Sequence, residues 1–209
     1  MLASIVQSGL AAVDGSRFCE LGACPACGGP VSGYDTKQRI FAVIRDGEEE
    51  RPVRVTVKRF ACRACGRISN ADEPFYPGTR IGSPVIDLCL TLAKTMPANR
   101  TAAYLDAMGV VVNRSSCRLY IKDHSRPVPA NDLFGIGVPL SVVSLSSLAV
   151  RAGEGTPIEG AEVLAACGFP SADRAALYRA PGKERDEREE QKEKEERHVQ
   201  VPEHSRNGN

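Results

Sequence analysis

Apolar and polar residues alternate through "PVRVTVKRF" (Pro52–Phe60). Val53, Val55 and Val57 point one way and Arg54, Thr56 and Lys58 the other, the period of a half-buried strand. "TKQRIFAVIR" (Thr36–Arg45) is rich in β-branched and aromatic residues and reads as a second strand. "DGEEE" between them carries the Asp-Gly turn signal, so the pair predicts a hairpin. From Ser83 the period changes to that of a helix. Ser83 is the expected N-cap before Pro84, Val85, Ile86, Leu88, Cys89, Leu92 and Ala93 form an apolar face, and Pro97 is the expected stop. A second helix follows, capped by Asn99 or Thr101, with Ala102, Leu105 and Met108 inward and Gly109 ending it in a left-handed turn. Val110 and Val112 fill the turn, and Asn113 caps a third helix, "RSSCRLYIK".

Further on the pattern is mostly helical. Residues 140–181 form the expected C-terminal helical region. "LSVVSLSSLAVRAG" is apolar enough for a buried helix, although its β-branched residues leave a strand open. Thr156-Pro157 opens a helix that Gly168 closes, and Ser171 caps another. Ala161, Leu164 and Gly168 repeat the spacing of Ala102, Leu105 and Gly109, an echo that follows from shared helix-ending rules or from a second helix-turn-helix unit. Residues 182–209 are nearly all charged and have too little apolar surface to fold alone, so a disordered or frayed helical tail is expected. Residues 1–18 are an N-terminal segment without a basic leader, and no apolar run reaches membrane-spanning length. A cytoplasmic protein that does not enter a membrane is expected.

The chemistry lies at the ends of the hairpin. "CPACGG" (Cys24–Gly29) and "CRACGR" (Cys62–Arg67) give C-x2-C and C-x2-C around the two strands. Each C-x2-C turn directs two thiolates at one ion, and the glycine after the second cysteine lets amides face sulfur. Cys24, Cys27, Cys62 and Cys65 are thus the candidate ligands of a tetrahedral, structural Zn2+ with no open position for catalysis. An iron site has the same four-thiolate geometry and stays open. A dithiol redox pair needs a single C-x-x-C in an alternating strand–helix context, which this is not. Cys19, Cys89, Cys117 and Cys167 stand alone and read as small buried apolar residues. Knuckle, strand, turn, strand, knuckle defines a zinc ribbon over residues 19–70, followed by a linker (71–83), a helix-turn-helix (84–124) and a second linker (125–139). The fold class is α+β.

Charge sharpens the picture. The net charge is +1, but the tail carries seven basic and nine acidic residues, which leaves 20 basic and 17 acidic before it. Residues 35–67 hold nine basic and five acidic groups. Such a patch suits a phosphate backbone. Lys37, Arg39, Arg54, Lys58, Arg59, Arg63 and Arg67 are the expected backbone clamp of the ribbon. On the third helix Asn113, Arg114, Ser115, Arg118 and Lys122 are the expected contacts to bases and phosphates of double-stranded DNA, with a second copy of the chain as partner where the target is palindromic.

The run from Cys24 to about Lys122 resembles the N-terminal part of prokaryotic, especially archaeal, transposase-like proteins. The resemblance is carried by "CPACGGPVSGYDTKQR", "VTVKRFACRACGR", "PFYPGTR" and "TAAYLDAMGVVVNRSSCRLYI". It implies DNA recognition by a zinc ribbon and helix-turn-helix. The catalytic half of such proteins is expected to be an RNase H-like domain with three carboxylates on two metal ions. The residues after Lys122 leave no room for it, and no strand framework gathers Asp123, Asp132 and Glu162. The expectation is a DNA-binding protein that is not an enzyme, with an RNA-binding ribbon or a protein-interaction adaptor as the alternatives.

Overall fold

The structure, a computed structural model, describes residues 1–124, 126–153 and 156–169. It is an α+β fold built on one long hairpin. Strands β2 (Val31–Asp46) and β3 (Glu49–Cys62) pair antiparallel from Val31–Cys62 to Asp46–Glu49, closed by a turn at Gly47 and Glu48. Gly47 takes φ +65°, as a tight hairpin turn requires. The other edge of β3 is shared end to end by β1 (Arg17–Phe18), parallel, and β4 (Ile68–Asn70), antiparallel. Val53, Val55 and Val57 are fully buried, as their alternation predicts.

Among the described residues six helices pack on this sheet and on one another: α1 (Leu2–Ala11), α2 (Ser83–Leu92), α3 (Ala98–Ala107), α4 (Arg114–Asp123), α5 (Leu140–Ala152) and α6 (Gly160–Ala166). The N-terminal segment is a helix seated on α5. A Cβ at Gly9 would lie 2.7 Å from Ser146 Oγ and 3.1 Å from the Val142 carbonyl, so this glycine sets the close approach of the two helices. The Ser146 hydroxyl donates to the Ile5 carbonyl at 2.5 Å across the same seam. All ten residues of α2 are buried, so it is a central helix and not the one-faced helix its apolar residues suggest.

Several boundaries differ from expectation. Gly82, not Ser83, is the N-cap of α2. The Gly82 amide donates to the Phe41 carbonyl, and a Cβ there would lie 2.5 Å from the Phe41 ring, so strand contact decides where the helix starts. Pro97 is the N-cap of α3, ahead of Asn99 and Thr101. α6 begins at Gly160, later than Thr156-Pro157, because Ile158 is buried and its carbonyl accepts from Ser16 Oγ at 2.7 Å, which keeps that stretch extended. Residues 125–139 are not a plain linker: β5 (Ala130–Leu133) and β6 (Ile136–Pro139) form a hairpin whose Val138 is buried in the core. Nor is the expected linker 71–83 a plain connector, because Ala71, Phe75 and Tyr76 within it are buried. Ser171 and the charged tail lie outside the described residues.

Asn113 caps α4 as predicted, its Oδ1 accepting the Ser116 amide at 2.7 Å, and Gly109 ends the preceding helix at φ +74°. The connection between α3 and α4 is not free-standing. The Arg45 amide donates to the Gly109 carbonyl and the Val111 amide to the Val43 carbonyl, so this turn adds to the outer edge of β2. Arg45 also donates to Asp106 on α3 at 2.7 and 3.0 Å. Hairpin and helices share one hydrophobic cluster that includes Val6, Phe18, Phe41, Val55, Leu88, Leu105, Val142 and Val163.

Candidate metal centre and basic surfaces

Two loops of the same construction bring the four cysteines together. In the first, the Gly28 amide donates to the Cys24 carbonyl at 2.8 Å and the Cys24 amide to the Gly29 carbonyl at 3.0 Å. In the second, Gly66 donates to Cys62 at 3.0 Å and Cys62 to Arg67 at 2.9 Å. Gly28 and Gly66 both take the left-handed conformation, at φ +70° and +72°. The end of β3 carries Cys62 straight into the second loop, and the Arg63 amide donates to the Pro30 carbonyl, which locks the two loops side by side.

The sulfurs of Cys24, Cys27, Cys62 and Cys65 all lie within 4.8 Å of one another. Cys24 and Cys65 are 3.8 Å apart, Cys27 and Cys62 3.5 Å. A tetrahedral ion with metal–sulfur distances of about 2.3 Å places its sulfurs about 3.8 Å apart, so the cluster fits such an ion. Gly29 shows how closely the loops enclose it: a Cβ there would lie 2.9 Å from the Ala64 Cβ and 3.2–3.3 Å from the sulfurs of Cys27 and Cys62. The four cysteines are therefore a site that can hold a metal. Among the described residues no other cluster of His, Cys, Asp or Glu can.

Backbone amides prepare the site for charge. The Cys65 and Ala64 amides point at Cys62 Sγ from 3.5 and 3.4 Å, and they draw that thiol down to about 6, chiefly through Cys65. The Ala26 amide holds Cys24 below its ordinary value. The Gly29 amide favours the Cys27 thiolate, but sharing hydrogen bonds with Cys62 and Cys65 pushes Cys27 up to about 12. Four adjacent sulfurs cannot all ionise on amides alone, and a bound cation is what makes four thiolates compatible.

The lone cysteines divide. Cys89, Cys117 and Cys167 are buried, as expected, whereas Cys19 is exposed and outside the cluster. The carboxylates Asp123, Asp132 and Glu162 lie on α4, β5 and α6 and form no metal-capable group. Asp132 instead accepts the Gly135 amide at 2.8 Å, steadying the β5–β6 turn.

Of the basic residues assigned to the ribbon, two are occupied internally. Arg39 turns inward because the β2–β3 register places it opposite Val55, on the core side. It pairs with Glu73 at 2.6 Å, donates to the Thr79 carbonyl and lies 3.6 Å over the Phe75 ring, so it is a packing residue and not a clamp. Arg59 makes a two-point ion pair with Asp35, which holds that carboxyl below its usual range. Lys37, Arg54, Lys58, Arg63 and Arg67 make no ion pair among the described residues, and Arg63 and Arg67 are exposed on the second cysteine loop. On α4, Asn113, Arg114, Ser115, Arg118 and Lys122 are all exposed, while Cys117 on the opposite side is fully buried. Leu119, overlooked in the sequence pattern, is 55% exposed on the same outer face.

A polar network at Asp87 also escapes the sequence pattern. Asp87 is buried in the middle of α2. It accepts from Tyr76 Oη at 2.6 Å and Ser141 Oγ at 3.3 Å, and Arg126 Nη2 stands 3.5 Å away and donates to the Tyr76 hydroxyl. Burial raises the Asp87 carboxyl to about 7, against the smaller pull of Ser141. The one visible signal was a carboxylate inside the apolar run "PVIDLCL".

Among the described residues no helix is long and apolar enough to cross a membrane. Comparison with protein-family models, with curated proteins and with solved structures finds no match to this chain, so the site is interpreted from its own geometry.

Proposed function

We propose that the chain is a zinc-dependent, double-stranded-DNA-binding protein without a catalytic centre, acting as a transposase-like recognition module or a transcriptional regulator. The observation that carries this reading is the outer face of α4. Arg114, Ser115, Arg118 and Lys122 stand exposed at helical spacing, with the helix N-terminus capped and its inner side held in the core. Such a face offers guanidinium groups to guanine edges and phosphates in a major groove. Zinc is the metal best suited to four thiolates in two C-x2-C turns, and its role is to cross-link the two cysteine loops, the second of which carries Arg63 and Arg67. A second copy of the chain supplies symmetry where the target is palindromic.

A second reading, single-stranded RNA binding, draws on Tyr34. It is 58% exposed beside Arg59, whose guanidinium lies 5.6 Å from the ring, and an exposed aromatic of this kind can stack on a base. One experiment separates the two. Zinc-loaded protein is titrated against random duplex DNA and single-stranded RNA over a salt series, with Arg114→Ala/Arg118→Ala as control. The expected result is tighter duplex binding, a steep loss with salt, and a slope reduced by about 0.9 per phosphate contact removed. Preference for RNA, or no binding at low salt by folded, zinc-loaded protein, overturns the DNA reading.

A further inference from the structure

The two basic surfaces are attached at different places along one hairpin. The turn that leads into α4 is hydrogen-bonded to β2 at Val43, through the Val111 amide. The cysteine loops sit at the opposite end, where Val31 pairs with Cys62 and Arg63 bonds to Pro30. β2 has register shifts at Gly33/Thr36 and Ile40/Ala42, so β3 gives the span: Cys62 faces Val31 and Pro52 faces Val43, and ten residues at about 3.3 Å each cover about 33 Å. Both ends are fixed. The metal-capable cluster ties one end, and the Arg45–Asp106 contacts tie α3 to the other. Between them Arg54 and Lys58 project from the outer face of β3, interleaved with Thr56 and opposite Thr36, Gln38 and Ile40 of β2. This outer face has no carboxylate between Arg54 and Lys58, and it offers hydroxyl and amide groups beside the cations.

Resting on the DNA-binding reading above, we infer that the chain grips duplex DNA at two separate places. Arg114 and Arg118 on α4 form one contact, and Arg63 and Arg67 on the second cysteine loop form the other. A span of about 33 Å corresponds to roughly ten base-pair steps at about 3.4 Å each, close to one helical turn. Contacts one turn apart meet the same side of the duplex, so a hairpin tied at both ends reaches both without bending the DNA. The hairpin then acts as a ruler, with Arg54 and Lys58 facing the phosphates it passes.

The test uses the full chain, zinc-loaded, and a duplex selected from a random pool. Hydroxyl-radical footprinting reads the protected backbone. Two protected tracts, about one helical turn apart, are expected. Arg63→Ala/Arg67→Ala erases one tract and leaves the other, and Arg114→Ala/Arg118→Ala does the reverse. Shortening the duplex to about seven base pairs removes the effect of the Arg63/Arg67 substitutions on affinity, because only one contact then fits. A single tract, or an Arg63/Arg67 effect that is unchanged on the short duplex, overturns the two-point grip while leaving DNA binding intact. Absence of any duplex binding overturns both.

Discussion

Single residues decide what the four-cysteine site can hold. Cys62→Ser removes the thiol that two backbone amides serve, and bound zinc should fall from about one per chain to near zero by elemental analysis. Gly29→Ala tests the enclosure rather than the ligands. Its Cβ would crowd Ala64 and two sulfurs, so zinc should bind more weakly in a chelator competition even though all four cysteines remain. Asp87 makes a different prediction. Its folded carboxyl titrates near 7, above the value of about 4 in an unfolded chain. The folded protein therefore binds a proton that the unfolded chain releases. This contribution to stability is full below about pH 4 and is lost as pH rises through about 7. Asp87→Asn should flatten that dependence, and denaturant melts of both proteins from pH 4 to 8 will show whether the difference between them changes with pH.

At the level of elements, α4 owes its start to Asn113, whose side chain satisfies the Ser116 amide. Asn113→Ala should cost about 1 kcal/mol in chemical denaturation. Leu105→Ala should cost more, about 2–5 kcal/mol, because Leu105 is fully buried where α3 meets the core. The three-helix order α2, α3, α4 was legible from apolar spacing, and Gly109 and Asn113 marked the turn, whereas the caps expected for α2 and α3 were displaced to Gly82 and Pro97. The attachment of that turn to β2 was not, since the Val111 and Arg45 amide bonds join residues far apart in the chain and leave no local pattern. The β5–β6 hairpin was missed for another reason. Its strands are four residues each, too short for alternation to register.

The whole molecule changes what the metal must do. A free-standing ribbon would depend on its ion for folding, but here the hairpin is held along much of its length by the common core. Chelation should therefore release the cysteine loops and leave the centre folded. In hydrogen exchange with a chelator, amides of Val31, Ala61 and Cys62 should lose protection, while those of Val43 and Val55 keep it. Simultaneous loss at both places would show that the ion sustains the entire fold. The same organisation accounts for the fate of the basic patch. Its total charge was correct, but pairing with Glu73, Asp106, Asp14 and Asp35 removes four of the nine cations from it.

What the chain determines by itself is local. Cysteine spacing picks out the four residues that can hold a metal, since two C-x2-C turns can close on one ion only if the strands between them pair. Alternating valines define the buried face of β3, and Asn113 and Gly109 mark the helix ends, because each acts on neighbours within a turn. Tertiary structure alone decided the rest. Register turned Arg39 inward onto Glu73 and Phe75, long-range packing buried α2 on every side with Asp87 inside it, and the β2 edge fixed where α4 stands relative to the cysteine loops. These outcomes depend on which distant residues become neighbours, and burial, ion pairing and desolvation act on neighbours in space rather than along the chain.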